Sequence, residues 1–139
     1  PLAAGIALAG ANRATAAAGA DDGVLTATEA ALLDLDACRL VVLSSCQSGL
    51  GEPFAGESVL GLRRGLLQAG ARCTITSMWP VGDRSTAQLM ADFYQRLLVV
   101  GESPGIALRQ AQLQTLARAR AEHGEGLPGL WGAFVCEGR

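Results

Sequence analysis

The sequence predicts an α/β domain: a mostly parallel sheet flanked by helices on both faces. Three observations point there. Strand-length apolar runs at Leu40 to Ser44, Cys73 to Met78 and Trp131 to Val135 have the β-branched and aliphatic character of buried strands. Longer segments with helical periodicity alternate with them. Glycine and proline punctuate the joins. At 139 residues the chain is one domain, or part of one, spanning 1–139. A chain of that size buries roughly two-thirds of its unfolded surface.

The elements follow in order. Gly5 to Gly10 is a short apolar segment with strand character. Ala11 to Gly23 is small and turn-like, ending in the turn signal Asp21-Asp22-Gly23. Thr26 followed by Glu29 is a capping box for a short helix reaching about Leu33. Leu40 to Ser44 reads as the central strand, and Gln47 to Glu57 as a loop rich in glycine. Ser58 can cap the next helix, which Gly70 ends. After the strand from Cys73 to Met78 and the Trp79-Pro80 break, Asp83 or Ser85 caps a helix with Leu89, Met90, Phe93, Tyr94 and Leu97 on one face, stopped by Gly101. Ser103-Pro104 opens another, running to about Glu122, with proline at the first turn, where its missing N–H costs nothing. The strand from Trp131 to Val135 comes last, and connections between parallel strands would be right-handed crossovers.

Composition excludes several function classes. Half the residues are hydrophobic and 17% are charged, which fits a globular domain and not a disordered one. Net charge is −2 and the densest basic cluster is Arg63-Arg64, so nothing favours nucleic acid as a partner. All 11 basic residues are arginine, which rules out lysine chemistry. That lysine-free, alanine-rich make-up hints at a GC-rich bacterial genome. No run approaches the roughly 18 apolar residues of a membrane span, and no membrane partner is expected. The apolar start lacks an initiator Met and a basic stretch, so it is not read as a signal peptide. It suggests a chain cut from a longer polypeptide. Cys38, Cys46, Cys73 and Cys136 show no CxxC or Cys/His spacing, so neither metal nor cofactor is expected. Reduced thiols in a cytoplasm are the default.

The chemistry centres on Cys46, which closes the apolar run Arg39-Leu-Val-Val-Leu-Ser-Ser45 and opens Gln47-Ser-Gly-Leu-Gly51. Ligands and reactive groups gather beyond the carboxyl ends of parallel strands, and Gly49 and Gly51 let backbone approach closely. A thiol there is placed as a nucleophile, although a cysteine acting as a small buried hydrophobe is the common alternative. A thiolate needs a base. The single histidine, His123, follows a long helix and reads as a solvated helix-end residue favoured by the helix C-terminus. Gly51 to Ser58 has phosphate-loop spacing, but Glu57 stands where the lysine belongs and would repel phosphate. Ser44, Ser45 and Ser48 lack a G-x-S-x-G elbow. The parallel arrangement places the Cys46 and Trp79 loops at one sheet edge, joining two motifs into one site.

Leu43 to Gly51, then Gly56-Glu57 leading into Leu60 to Arg72, then Ser77-Met-Trp-Pro-Val-Gly-Asp83, Ala107 to Gln112 and Trp131 to Val135 together resemble a CHAT domain, caspase-like and related to separase. The five blocks are collinear and cover nearly the whole chain. The resemblance implies a caspase-hemoglobinase-like fold, here as a partial domain. It also implies cysteine endopeptidase activity in active members, and tetratricopeptide repeats in the same polypeptide. It puts the nucleophile on Cys46. The family's base, in a His-Gly motif after an earlier strand, would lie upstream of the segment matching Pro1 to Gly10. His123 matches no family catalytic position.

Ser77, Met78 and Trp79 resemble the caspase-type strand that pairs with an extended peptide substrate. Trp79 would wall a pocket or anchor a loop; Asp83 would line the site or cap a helix. In the implied reaction Cys46 attacks the scissile carbonyl, backbone N–H groups hold the oxyanion, and water releases the acyl-enzyme. The alternative is a catalytically silent caspase-like scaffold or signalling module that binds protein partners. A partial domain would also expose a sheet edge, with self-association as the consequence.

Overall fold

A computed structural model describes residues 5–9, 11, 22–44 and 55–138, with backbone alone at 55–59 and 83. The chain divides into two compact units, Pro1–Arg39 with Gly51–Arg72, and Leu40–Leu50 with Cys73–Arg139.

In the first unit, β1 (Gly5–Ala7) pairs antiparallel with β2 (Val24–Thr26), Ile6 opposite Leu25. Gly23, at φ +74°, makes the turn into β2, and the Val24 amide donates to the Asp22 carboxylate at 2.8 Å. Helix α1 (Ala27–Ala30) starts with the capping box expected from sequence. Thr26 Oγ1 accepts from the Glu29 amide at 3.2 Å, and the Thr26 amide donates to Glu29 Oε2 at 2.8 Å. The helix stops short of Leu33. Asp34 begins to bond its own backbone, accepting from the Asp36 amide at 3.4 Å, a local contact that competes with helix.

Helix α2 (Ala55–Gln68) begins three residues before the expected Ser58. It ends in a Schellman motif about Gly70, φ +107°. There the Gly70 amide donates to the Leu67 carbonyl and the Ala71 amide to the Leu66 carbonyl, each at 3.2 Å.

In the second unit, β3 (Val41–Leu43), β4 (Cys73–Ser77) and β5 (Phe134–Gly138) form a sheet in the order β3-β4-β5. β3 and β4 are parallel; β4 and β5 are antiparallel. Among the described residues the sheet is therefore mixed, with one parallel and one antiparallel pairing, and the mostly parallel arrangement is not seen there. β3, expected at the centre, is the edge strand among the described residues, and β4 takes the centre with all five residues buried. β5 starts three residues later than expected because Pro128 opens a short helix, α5 (Pro128–Trp131), that claims Trp131.

Helix α3 (Asp83–Tyr94) runs into a π-helical stretch at Gln95–Val100 and stops at Gly101, φ +81°. Helix α4 (Pro104–His123) has Ser103 at its N-cap and Pro104 in its first turn, as expected. Ile75 and Phe134 from one sheet face pack with Leu89 and Phe93 of α3 and Ala107, Leu108 and Ala111 of α4. Arg118 of α4 pairs with Asp92 of α3, and Gln112 Nε2 donates to the Phe134 carbonyl at 2.8 Å.

Candidate functional site

Because β3 and β4 run parallel, with Leu43 opposite Thr76, their carboxyl ends leave the sheet at one edge. β3 leads through Ser44 towards Cys46, which lies outside the described residues. β4 leads to Ser77, Met78 and Trp79.

Ser77 is buried, at 3% exposure, so its side chain belongs to the packed interior rather than an open surface. The Met78 amide donates to the Ala133 carbonyl at 2.8 Å, which occupies the β5 side of the strand end. Trp79 is 42% exposed. Its ring edge lies over Gly132, where an added Cβ would sit 3.7 Å from Cζ2 and Cη2. A side chain at position 132 would also press within 3.1 Å of the Pro128 carbonyl. Gly132 thus leaves room for the edge of the indole on the turn before β5. The contact with Gly132 is compatible with the loop-anchor reading of Trp79, and its 42% exposure leaves part of the side chain open to solvent.

Asp83 is the first residue of α3, whose N-cap is Gly82. Neither residue expected as the cap holds that position. Ser85 is a further turn position, and its hydroxyl donates to the Gly82 carbonyl at 2.9 Å. A glycine N-cap costs only a few tenths of a kcal/mol against a polar one.

His123 ends α4 beside Gly124, φ +74°. Its side chain is 53% exposed, with Nε2 3.8 Å from the Glu122 carboxylate. This is the solvated helix-end histidine read from sequence. It shares a shallow cleft with Ser85, Gln88, Thr115, Arg118 and Leu130, between α3 and α4.

A second cysteine feature escaped the sequence reading. Cys73 and Cys136 face each other across β4 and β5 with their Sγ atoms 3.1 Å apart. The expected last strand stopped at Val135, one residue short of the second thiol. Only the antiparallel register could have paired them. Burial pushes the Cys73 thiol up to about 12, and its hydrogen bond with Cys136 and the charge of that neighbour add to the shift. Cys73 is therefore a neutral thiol at neutral pH. A folded-state value above the unfolded one means that the unfolded chain loses its proton first. This contribution to stability is complete below about pH 8.5 and is lost as pH rises towards 12. Urea midpoints between pH 8 and 11 should fall, and should fall less in Cys73→Ala.

Among the described residues no cluster of three His, Cys, Asp or Glu side chains is arranged to hold a metal. No helix there is long and apolar enough to cross a membrane.

The fold and this sheet edge define an α/β protein with its candidate site beyond two parallel strands. The CHAT domain family model matches residues 1–139, and the chain belongs to that family. It is similar to tetratricopeptide repeat protein 28 of Mus musculus, 33% identical over 115 residues, which covers 82% of this chain and 4% of that protein. The protein of the same name from Homo sapiens matches equally, 33% identical over 115 residues, 82% of this chain and 4% of its own length. The chain thus spans about 4% of the length of either relative.

Proposed function

We propose that this chain is part of a caspase-like cysteine endopeptidase domain in which Cys46 is the nucleophile and a histidine outside these 139 residues is the base. The observation that carries the reading is the parallel pairing of β3 with β4, Leu43 opposite Thr76. Cys46 follows Leu43 by three residues, and Trp79 follows Thr76 by three. Two parallel strands ending together supply the edge such chemistry uses, and membership of the CHAT family supports the assignment.

The position of β3 adds support. It is the edge strand of the described sheet, and an upstream strand bearing the histidine would pair on its outer side. Without that strand, the same edge would favour self-association.

A peptide substrate would add as a strand beside Ser77, Met78 and Trp79. Ala133 already takes the Met78 amide, so the substrate would lie on the β3 side, beyond Leu43. The exposed part of Trp79 would wall a pocket, and Asp83, the first residue of α3, would belong to the same site. The two relatives are named for tetratricopeptide repeats, which supports such repeats in the same polypeptide. A cytoplasmic location fits reduced thiols. The mammalian relatives lend no support to a bacterial origin.

The test is the rate of Cys46 alkylation against pH in the whole protein, read with Cys46→Ala in a cleavage assay. The expected result is fast labelling at pH 6, lost when the upstream histidine is replaced, and cleavage abolished by Cys46→Ala. Labelling that rises only near the free-thiol value of about 8.5, with no cleavage by the unsubstituted protein above that of Cys46→Ala, would overturn the peptidase reading. The scaffold would then remain.

A further inference from the structure

The thiols of Cys73 and Cys136 are separated by 63 positions in sequence and by 3.1 Å in space. Their strands fix this. Cys73 stands opposite Gly138 and Ile75 opposite Cys136, so the cysteines are diagonal neighbours. Side chains two apart on a strand share a face, here the face on which Ile75 packs with α3 and α4. Gly105, in the first turn of α4, leaves that sulfur uncrowded: a Cβ there would stand 4.0 Å from Cys136 Sγ. Cys73 is buried, at 5% exposure, and Cys136 is half-buried. An incoming oxidant therefore meets Cys136 first. A disulfide needs the sulfurs at about 2.05 Å, roughly 1 Å closer than they stand.

We propose that Cys73 and Cys136 form a reversible cross-strand disulfide when the protein meets a peroxide, latching the start of β4 to β5. In the first step the Cys136 sulfur attacks hydrogen peroxide. The O–O bond breaks, Cys136 becomes the sulfenic acid, and one water leaves. In the second, Cys73 sulfur attacks the sulfenic sulfur. The S–S bond forms, hydroxide departs and takes the Cys73 proton, and a second water results. Two thiols lose two electrons and peroxide gains them. The latch does not depend on the peptidase reading.

The experiment is peptide mapping of the whole protein after hydrogen peroxide, alkylation and tryptic digestion without reductant. The expected product joins the peptide 73–84 to the peptide 121–139, lighter by two hydrogens than their sum. It should form in the native protein, not in urea at the same dose, and vanish with dithiothreitol. The melting temperature should rise by about 5 °C, and not in Cys136→Ser. Recovery of both cysteines singly alkylated overturns the proposal. So does Cys136 as sulfinic acid beside a reduced Cys73, or linkage of either mainly to Cys38 or Cys46. The unsubstituted protein decides the matter even if Cys136→Ser fails to fold.

Discussion

In the first unit a residue with no side chain, Gly65, stands where α2 comes close to the α1 backbone. A Cβ at Gly65 of α2 would stand 2.5 Å from the Ala27 carbonyl oxygen of α1 and 3.3 Å from the Ala31 amide nitrogen. In the second unit the core cluster sets bulky, fully buried Phe93, Ile75 and Leu89 against small Ala107, Ala111 and Ala133. The first arrangement depends on atoms that are missing and the second on atoms that are present. Substitution should therefore harm them in opposite directions, the first by adding a methyl and the second by removing a ring.

The largest effect belongs to Phe93→Ala. The ring is wholly buried, and it packs in the cluster of Ile75, Leu108 and Phe134. Truncation loses the transfer energy of the ring and leaves a cavity, a cost of about 3–5 kcal/mol. Urea unfolding should show it as a large drop in midpoint. A loss below about 1 kcal/mol would mean that the sheet and helices close over the gap, and the contrast between units would fail on this side.

Gly65→Ala comes next. Nothing flexible faces the new methyl, because the atoms it meets are backbone. α1 must move or the contact must open, at about 1–3 kcal/mol, against a helix-propensity gain of up to about 1 kcal/mol. A net loss sharpens the comparison; a net gain would show that α1 gives way freely.

The same contrast explains what could be read from sequence. Local signals were legible where the partner atoms are a few residues away. The Thr26 and Glu29 box, the Gly70 and Gly101 stops, and the Ser103-Pro104 start all appear as the residues demand. Strand direction was not legible. Whether β5 runs with or against β4 depends on the path through α5, and Pro128 redirected that path by starting a helix where a strand was expected. β2 was hidden because its last residue, Thr26, is also the cap of α1.

At the candidate site, the shared edge of β3 and β4 followed from two apolar runs. The engagement of Met78 by Ala133 and the seat of Trp79 on Gly132 did not, because both are contacts across more than 50 residues of chain. Gly82 took the N-cap that Asp83 and Ser85 were expected to contest. A glycine carries no side-chain signal to find.

The smallest effect has the most telling sign. Gly61 lies one helical turn before Gly65 on α2, and a Cβ there would meet only the Ala27 Cβ at 3.7 Å, an ordinary contact. Gly61→Ala therefore adds a methyl without a clash and removes the backbone freedom that glycine loses on folding. The expected change is a gain of about 0.5–1 kcal/mol, measured beside Gly65→Ala in the same urea series. Opposite signs one turn apart would place the constraint at a single backbone contact. Two losses of similar size would mean that α2 tolerates no added methyl along this face, and that close approach extends beyond Gly65. Two gains would remove the distinction between the units, because an added methyl would then no longer harm the first.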